Sequence, residues 1–88
     1  MEYDWDPVKA VANFLKHEVR FVRIREFDWE TAKIGEDRRR DYGETRFIGV
    51  GPIDGITHVA IFTFRGTQIR LISLRRANDR ERRRHERT

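Results

Sequence analysis

Between Thr57 and Arg75 the chain reads THVAIFTFRGTQIRLISLR, with β-branched, aromatic and polar residues alternating on either side of Gly66-Thr67. This pattern predicts an antiparallel hairpin closed by a two-residue turn. With that turn Thr63 faces Arg70, Phe62 faces Leu71, Ala60 faces Ser73 and His58 faces Arg75. One face then carries Ala60, Phe62, Phe64, Ile69 and Leu71, enough apolar surface to pack helices. The other carries Ile61 and Ile72 at its middle, with Thr63, Arg65, Gln68 and Arg70 towards the turn. Arginines at the margins of an apolar hairpin suggest a scaffold for anion recognition.

An 88-residue chain holds interior for one domain only, so residues 1–88 are expected to fold as a unit. Charged residues (39%) slightly outnumber hydrophobic ones (38%), which implies a thin core and favours burial on a partner. The net charge of +4 hides a gradient: nine basic and eleven acidic groups in residues 1–44, ten and four in residues 45–88. Lys9, Lys16 and Lys33 are the only lysines, and the other basic groups are arginines. Planar guanidinium forks suit a phosphodiester or an acidic protein partner. The absence of cysteine rules out disulfides and thiolate metal sites. No apolar run approaches membrane-spanning length and MEYDWDP has no signal-peptide core, so a soluble cytoplasmic protein is expected.

Along the chain, Tyr3 to Trp5 reads as a short edge strand. Asp6 as N-cap and Pro7 in the first turn then open a helix ending near Lys16-His17. Trp5, Val8, Ala12 and Leu15, widened by Val11 and Phe14, recur at helical spacing as its apolar stripe. At the negative end of the helix dipole the imidazolium form of His17 is favoured. Val19 to Glu26 reads as a short second helix. Phe27 to Asp41 reads as a solvated loop with room for a brief strand, its Arg38-Arg39-Arg40 run facing water or RNA. Arg46 to Ile53 is a strand that Gly49, Gly51 and Pro52 weaken for a central position. Asp54-Gly55 is a hairpin turn, which makes Arg46 to Arg75 a three-stranded meander. A last helix spans Arg80 to Arg87 after Asn78 and Asp79, without an apolar stripe.

The sequence holds no phosphate-cradling glycine loop, nucleophile elbow or metal-spaced cluster, and no cofactor is expected. Scattered Arg, Lys, His and Glu suit phosphodiester cleavage without a metal. A base takes the proton of a ribose 2′-hydroxyl, cations stabilise the phosphorane, and an acid protonates the leaving 5′-oxygen. RNA brings its own nucleophile.

Tyr3-Asp4-Trp5-Asp6-Pro7 with Lys9, Asn13 and Lys16-His17 resembles the BrnT family of toxins, relatives of the RelE ribonucleases. Glu44-Thr45-Arg46 before Ile48-Gly49, Thr63 to Arg65, Ile69 to Arg75 and Arg80 to Arg84 extend the likeness over most of the chain in the right order. The resemblance implies an α+β, RelE-like fold with N-terminal helices packed on an antiparallel sheet and a short C-terminal helix. It also implies a ribonuclease that arrests translation, RNA as substrate, a BrnA-like antitoxin with a ribbon-helix-helix domain, and contact with promoter DNA only through the antitoxin complex. Carried over residue by residue, the catalytic set is His17 (base or acid), Arg65 and Arg75 (phosphate clamp), Glu44 (proton acceptor) and Lys16 (charge stabiliser). Arg46, Arg70, Arg82, Arg83 and His85 are the expected RNA contacts. The sequence departs from the family at Glu18, where glycine usually follows Lys-His, at Leu74, where a small residue is common, and at His85, where tyrosine is frequent.

Each role has a bland rival. His17 also suits a helix C-cap, Arg75 and Glu44 a structural ion pair, Arg82 to Arg84 a solvated tail, and Trp5 and Trp29 packing. The competing function is a non-enzymatic module binding nucleic acid or an acidic partner, or a topoisomerase poison of the same fold.

Overall fold

The first turn of the chain is written by its capping residues. After β1 (Tyr3–Asp4), Asp6 Oδ1 accepts the Val8 N–H at 2.9 Å, Pro7 occupies the first turn, and α1 runs Pro7–His17. The helix stops at Glu18, which takes the left-handed conformation (φ 59°) and donates its N–H to Phe14 O at 2.7 Å. A 3-10 helix, Phe21–Glu26, occupies the second helical segment. Four further strands follow: β2 (Lys33–Asp37), β3 (Arg46–Ile53), β4 (Ile56–Arg65) and β5 (Gln68–Arg76), then α2 (Asp79–Glu86). This computed structural model describes residues 1–87; Thr88, the last residue of the expected domain, lies outside them.

The strands form one sheet in the order β1-β5-β4-β3-β2. All neighbours are antiparallel except β1, which lies parallel to β5 through Tyr3↔Ile69 and Asp4↔Arg70, so the sheet is mixed rather than purely antiparallel. No turn joins two strands so far apart in sequence, and nothing forces them antiparallel. β3 is an interior strand despite its glycines and proline. Its pairing with β2 ends at Val50, and beyond it the Pro52 carbonyl accepts the Asp28 N–H at 3.0 Å. Gly51 is required where it stands: a Cβ there would lie 2.9 Å from Ala32 Cβ. Asp54 (φ 49°) and Gly55 (φ 75°) make the β3–β4 turn, as the sequence predicts.

The β4–β5 hairpin departs from its expected register halfway along. Thr63↔Arg70 and Phe62↔Leu71 pair as predicted, but the next pair is Ile61↔Ser73, so Ile72 is an extra residue on β5. Ala60 therefore faces Leu74 rather than Ser73, and His58 faces Arg76 rather than Arg75. An uninterrupted ladder would turn Ser73 and Arg75 to the apolar face and Leu74 away from it. The bulge instead seats Leu74 in the core, fully buried.

That core comprises Phe21, Ile24, Phe27, Ile53, Ala60, Phe62, Ile69, Leu71 and Leu74 with Val19 at its margin. Trp29 packs edge-on against Phe27 and Phe62 and donates its indole N–H to Tyr3 Oη at 2.7 Å, and Trp5 meets Phe21 edge-on. Both tryptophans are thus packing residues. Phe64, expected on the packed face, is half exposed near the turn.

The apolar stripe of α1 points the other way from expectation. Val8, Val11 and Leu15 are 76%, 62% and 78% exposed, while the buried residue of the helix is Asn13. The reason is a hydrogen-bond demand that an aliphatic side chain cannot meet. Where β1 no longer covers the outer edge of β5, the Asn13 amide replaces a strand: Nδ2 donates to Leu74 O at 2.7 Å and Oδ1 accepts the Leu74 N–H at 3.2 Å. Nδ2 also donates to Val19 O at 3.0 Å.

Candidate active site

Strand alternation puts Asp37 of β2, Arg46 of β3, Ile61 of β4 and Ser73 and Arg75 of β5 on the sheet face opposite the core. The end of α1, held at the β5 edge by Asn13 one turn earlier, brings Lys16 and His17 over the same face. With Arg39, Arg40, Tyr42 and Ile72 these residues line a groove of about 610 Å³.

Within this groove Arg75 makes a bidentate pair with Glu81 of α2, Nη1 to Oε1 at 2.7 Å and Nη2 to Oε2 at 2.8 Å. The pair pushes the Glu81 carboxyl down to about 2. Arg75 is therefore ion-paired to Glu81 and not to Glu44. Glu81 also accepts the Asn78 N–H at 2.9 Å while Asn78 Oδ1 accepts the Glu81 N–H at 2.8 Å, a capping box that starts α2 and ties it to β5. The tail is thus docked at its first turn. Lys33 Nζ adds a bond to His85 O at 3.0 Å.

His17 is partly buried, and that desolvation, with the Lys16 and Arg75 charges beside it, lowers its pKa below the ordinary value. The helix dipole, expected to favour imidazolium, is outweighed. At neutral pH the ring is neutral, so it can accept a proton.

Asp37 and Arg39 come from the stretch that reads as loop, Tyr42 follows it, and the three were not singled out as a unit. The Asp37 carboxylate is buried and accepts from Arg39 Nε (2.8 Å), Arg39 Nη2 (2.9 Å), the Arg39 N–H (3.2 Å) and Tyr42 Oη (3.0 Å). These bonds, the Arg39 side chain's foremost, hold it well below the usual carboxylate range. The sequence signal was slight: Lys33, Gly35 and Asp37 alternate onto one face, and Tyr42 is the lone aromatic among charges. Arg46 lays its guanidinium 4.2 Å above the Tyr42 ring, and its buried Nε has no hydrogen-bond partner among the described residues. That Nε faces Glu44 Oε2 at 3.6 Å, an ion pair beyond hydrogen-bond distance at the groove wall.

Other expected residues lie outside the groove lining. Arg65 is on the same face of β4 as Ile61 but four residues further along, roughly 13 Å at strand rise. It approaches Glu44 at 3.9 Å, and Glu44 also meets Arg46 at 3.6 Å. Arg70 is held by Asp4 at 2.6 Å. On α2, Arg82 lies between Asp79 and Glu86 at 3.6 and 3.4 Å. Arg83 shares a helix face with Arg80, Arg84 and Arg87, which together line a shallow cationic surface. His85 lines a different cleft, with Lys33, Ile48 and Val50.

Among the described residues no cluster of three or more His, Asp or Glu is arranged to hold a metal ion, and no helix is long and apolar enough to cross a membrane. The chemistry available in the groove is a neutral imidazole beside Lys16, Arg46 and Arg75, a set suited to a phosphodiester. A comparison with curated proteins finds no match. The family model described as "Ribonuclease toxin, BrnT, of type II toxin-antitoxin system" matches residues 5–81. Its span takes in α1, all the groove residues and the first turn of α2: the chain belongs to the BrnT family of ribonuclease toxins, whose substrate is RNA and whose partner is a cognate antitoxin.

Proposed function

We propose that the chain is a metal-independent endoribonuclease, a single RelE-like domain that cuts RNA through its own 2′-hydroxyl and so arrests translation. The observation that carries this reading is the convergence of His17, Lys16, Arg46 and Arg75 on one groove. His17, neutral at pH 7, takes the proton of the 2′-hydroxyl. The 2′-oxygen attacks phosphorus, and the charge that grows on the phosphorane is balanced by Lys16 and Arg46. The bond from phosphorus to the 5′-oxygen then breaks, leaving a 2′,3′-cyclic phosphate, and the 5′-oxygen takes a proton from Lys16. Arg75 keeps the imidazole neutral and clamps the scissile phosphate on exchanging Glu81 for a phosphate oxygen. Glu44 holds Arg46 and Arg65 in place instead of accepting the proton. Arg65, Arg70 and the α2 arginines, Arg83 foremost, meet flanking phosphates.

The antitoxin in this reading is BrnA-like, with a ribbon-helix-helix domain through which the complex reaches promoter DNA, and the pair works in the cytoplasm. Purified protein incubated with RNA in EDTA tests the activity. Cleavage is expected to persist in EDTA and to fall about 10²- to 10⁴-fold in His17→Ala and about 10²- to 10³-fold in Arg75→Ala. Intact RNA from folded wild-type protein would favour the non-enzymatic rival.

A further inference from the structure

The outward face of α1 has no role in the groove chemistry, and its composition is unusual for a surface. Around the helix, Val11, Leu15, Val8 and Ala12 fill one continuous exposed arc, with three large aliphatics at least 62% exposed. A row of aliphatics one helical turn apart is the surface that an amphipathic partner helix reads. Beside it, Trp5, Ala10, Val11, Phe14, Phe21 and Val22 wall a cleft of about 390 Å³, so the ridge continues into a mainly apolar cleft.

The charges around this face select the partner. Lys9 and Lys16 lie two turns apart along one flank of the arc, and neither has an ion pair among the described residues. Arg20 stands at the cleft with its guanidinium 4.3 Å above the Phe14 ring. Residues 7–17 contain no Asp or Glu. A second copy of this chain packed antiparallel across a two-fold axis would set the lysine flanks against each other with no carboxylate on the helix to offset them. The complementary surface is an apolar ridge with an acidic flank.

We infer that the exposed face of α1 is the docking surface for the antitoxin, whose occupying segment is an amphipathic helix with aliphatic anchors and an acidic flank. This rests on the toxin reading above and specifies how neutralisation works. Lys16 belongs both to the flank of the arc and to the lining of the groove. An acidic partner seated on Val8, Val11 and Leu15 pairs with Lys16 and competes for it with the RNA phosphate, so anchoring on the helix shuts the groove from its edge.

The test uses the full chain and the purified antitoxin encoded by the adjoining reading frame. Binding is measured by calorimetry for wild type, for Val11→Ser/Leu15→Ser and for Lys9→Glu, with melting and RNA cleavage measured on each free protein. The double variant is expected to bind at least about a hundredfold more weakly, because two anchors lose their buried contact. Lys9→Glu should bind about tenfold more weakly, with the defect shrinking in high salt. Melting and cleavage of the free variants should match wild type, since all three side chains lie outside core and groove. Antitoxin affinity unchanged in the double variant would overturn the inference. So would a loss of self-association with antitoxin binding intact, which would assign the face to a second copy. Because binding is read directly, a wild type that fails to cut RNA would sink the ribonuclease reading and leave the docking result to be judged alone.

Discussion

The two faces of the sheet are built from the same strands yet could hardly differ more. One is an aliphatic and aromatic core around Phe62, Leu71 and Leu74; the other carries Asp37, Arg46 and Arg75 under the end of α1. Alternation alone would generate such a pair of faces, but on β5 it would generate the wrong one. Ile72, the extra residue, is what changes the parity, so that Leu74 goes in and Ser73 and Arg75 go out. A one-residue irregularity in the hairpin is therefore the structural origin of the groove.

Placing a charge where it seats an aliphatic should produce the largest effect. Leu74→Arg puts a guanidinium at the fully buried position that the bulge turns inward. Burying an unpaired guanidinium costs several kcal/mol, a large part of what a small domain has. Circular dichroism is expected to show a chain mostly unfolded at 25 °C. A Leu74→Arg variant that melts like wild type would show that the bulge does not turn this position into the core.

A smaller effect should separate the two sides of α1. Asn13→Ala leaves the Leu74 N–H and C=O without their side-chain partner at a buried edge, and is expected to cost about 2–4 kcal/mol. It should also loosen the placement of His17 and lower cleavage. Val11→Ser on the opposite side should cost within about 0.5 kcal/mol. Urea denaturation of both variants checks the contrast; similar losses would mean that both sides of the helix are packed.

These contrasts also show what the sequence could and could not convey. Caps, turns and strand limits were legible because they are local: Asp6-Pro7, Asp54-Gly55 and Asn78 announce themselves within a few residues. The inward side of α1 was not, because periodicity counts apolar residues and cannot know that an edge of β5, far along the chain, needs an amide. The register of the hairpin was legible up to Leu71 and lost at Ile72, where two isoleucines, Ile61 and Ile72, look like partners. For the candidate site, Lys16, His17, Arg46 and Arg75 could be named from their chemistry and family pattern. Asp37 and Tyr42 could not, since a charge-rich stretch reads as solvated until Arg39 is seen folded back on Asp37. Arg65 and Glu44 were carried over from the family pattern, and strand rise sets Arg65 beyond the groove lining.

The two histidines of the folded body should give a moderate effect on the acid side. His58 is buried at the core side with Nδ1 2.6 Å from Ile56 O, and desolvation lowers its pKa as it does that of His17. In both, the unfolded chain binds the proton more readily. Their stability contribution is thus complete above the ordinary value of 6.5 and is lost as pH falls through the lowered folded values. The Arg75–Glu81 pair adds a second loss at lower pH, between the ordinary 4.5 and about 2 for Glu81. Melting temperature should hold near pH 7 and begin to drop just below 6.5, and His58→Gln should flatten that first step. A first step untouched in His58→Gln and His17→Gln alike would place its origin elsewhere. The same lowered value puts the acid limb of the cleavage profile below 6.5.

The smallest effect belongs to the hinge between α1 and the groove. Glu18 holds φ 59°, a conformation that costs a residue with a Cβ about 1 kcal/mol or more and glycine almost nothing. Glycine in turn loses more freedom on folding, by about 0.4–1 kcal/mol. The balance predicts that Glu18→Gly gains about 0.5 kcal/mol, a rise of roughly 2–4 °C in Tm for a domain of this size. Glu18→Ala is the control: it removes the same carboxylate but keeps the Cβ, and should gain nothing. If both variants gain equally, the cost at this position lies in the negative charge at the helix end, where the dipole disfavours it, and not in the backbone that turns His17 over the groove.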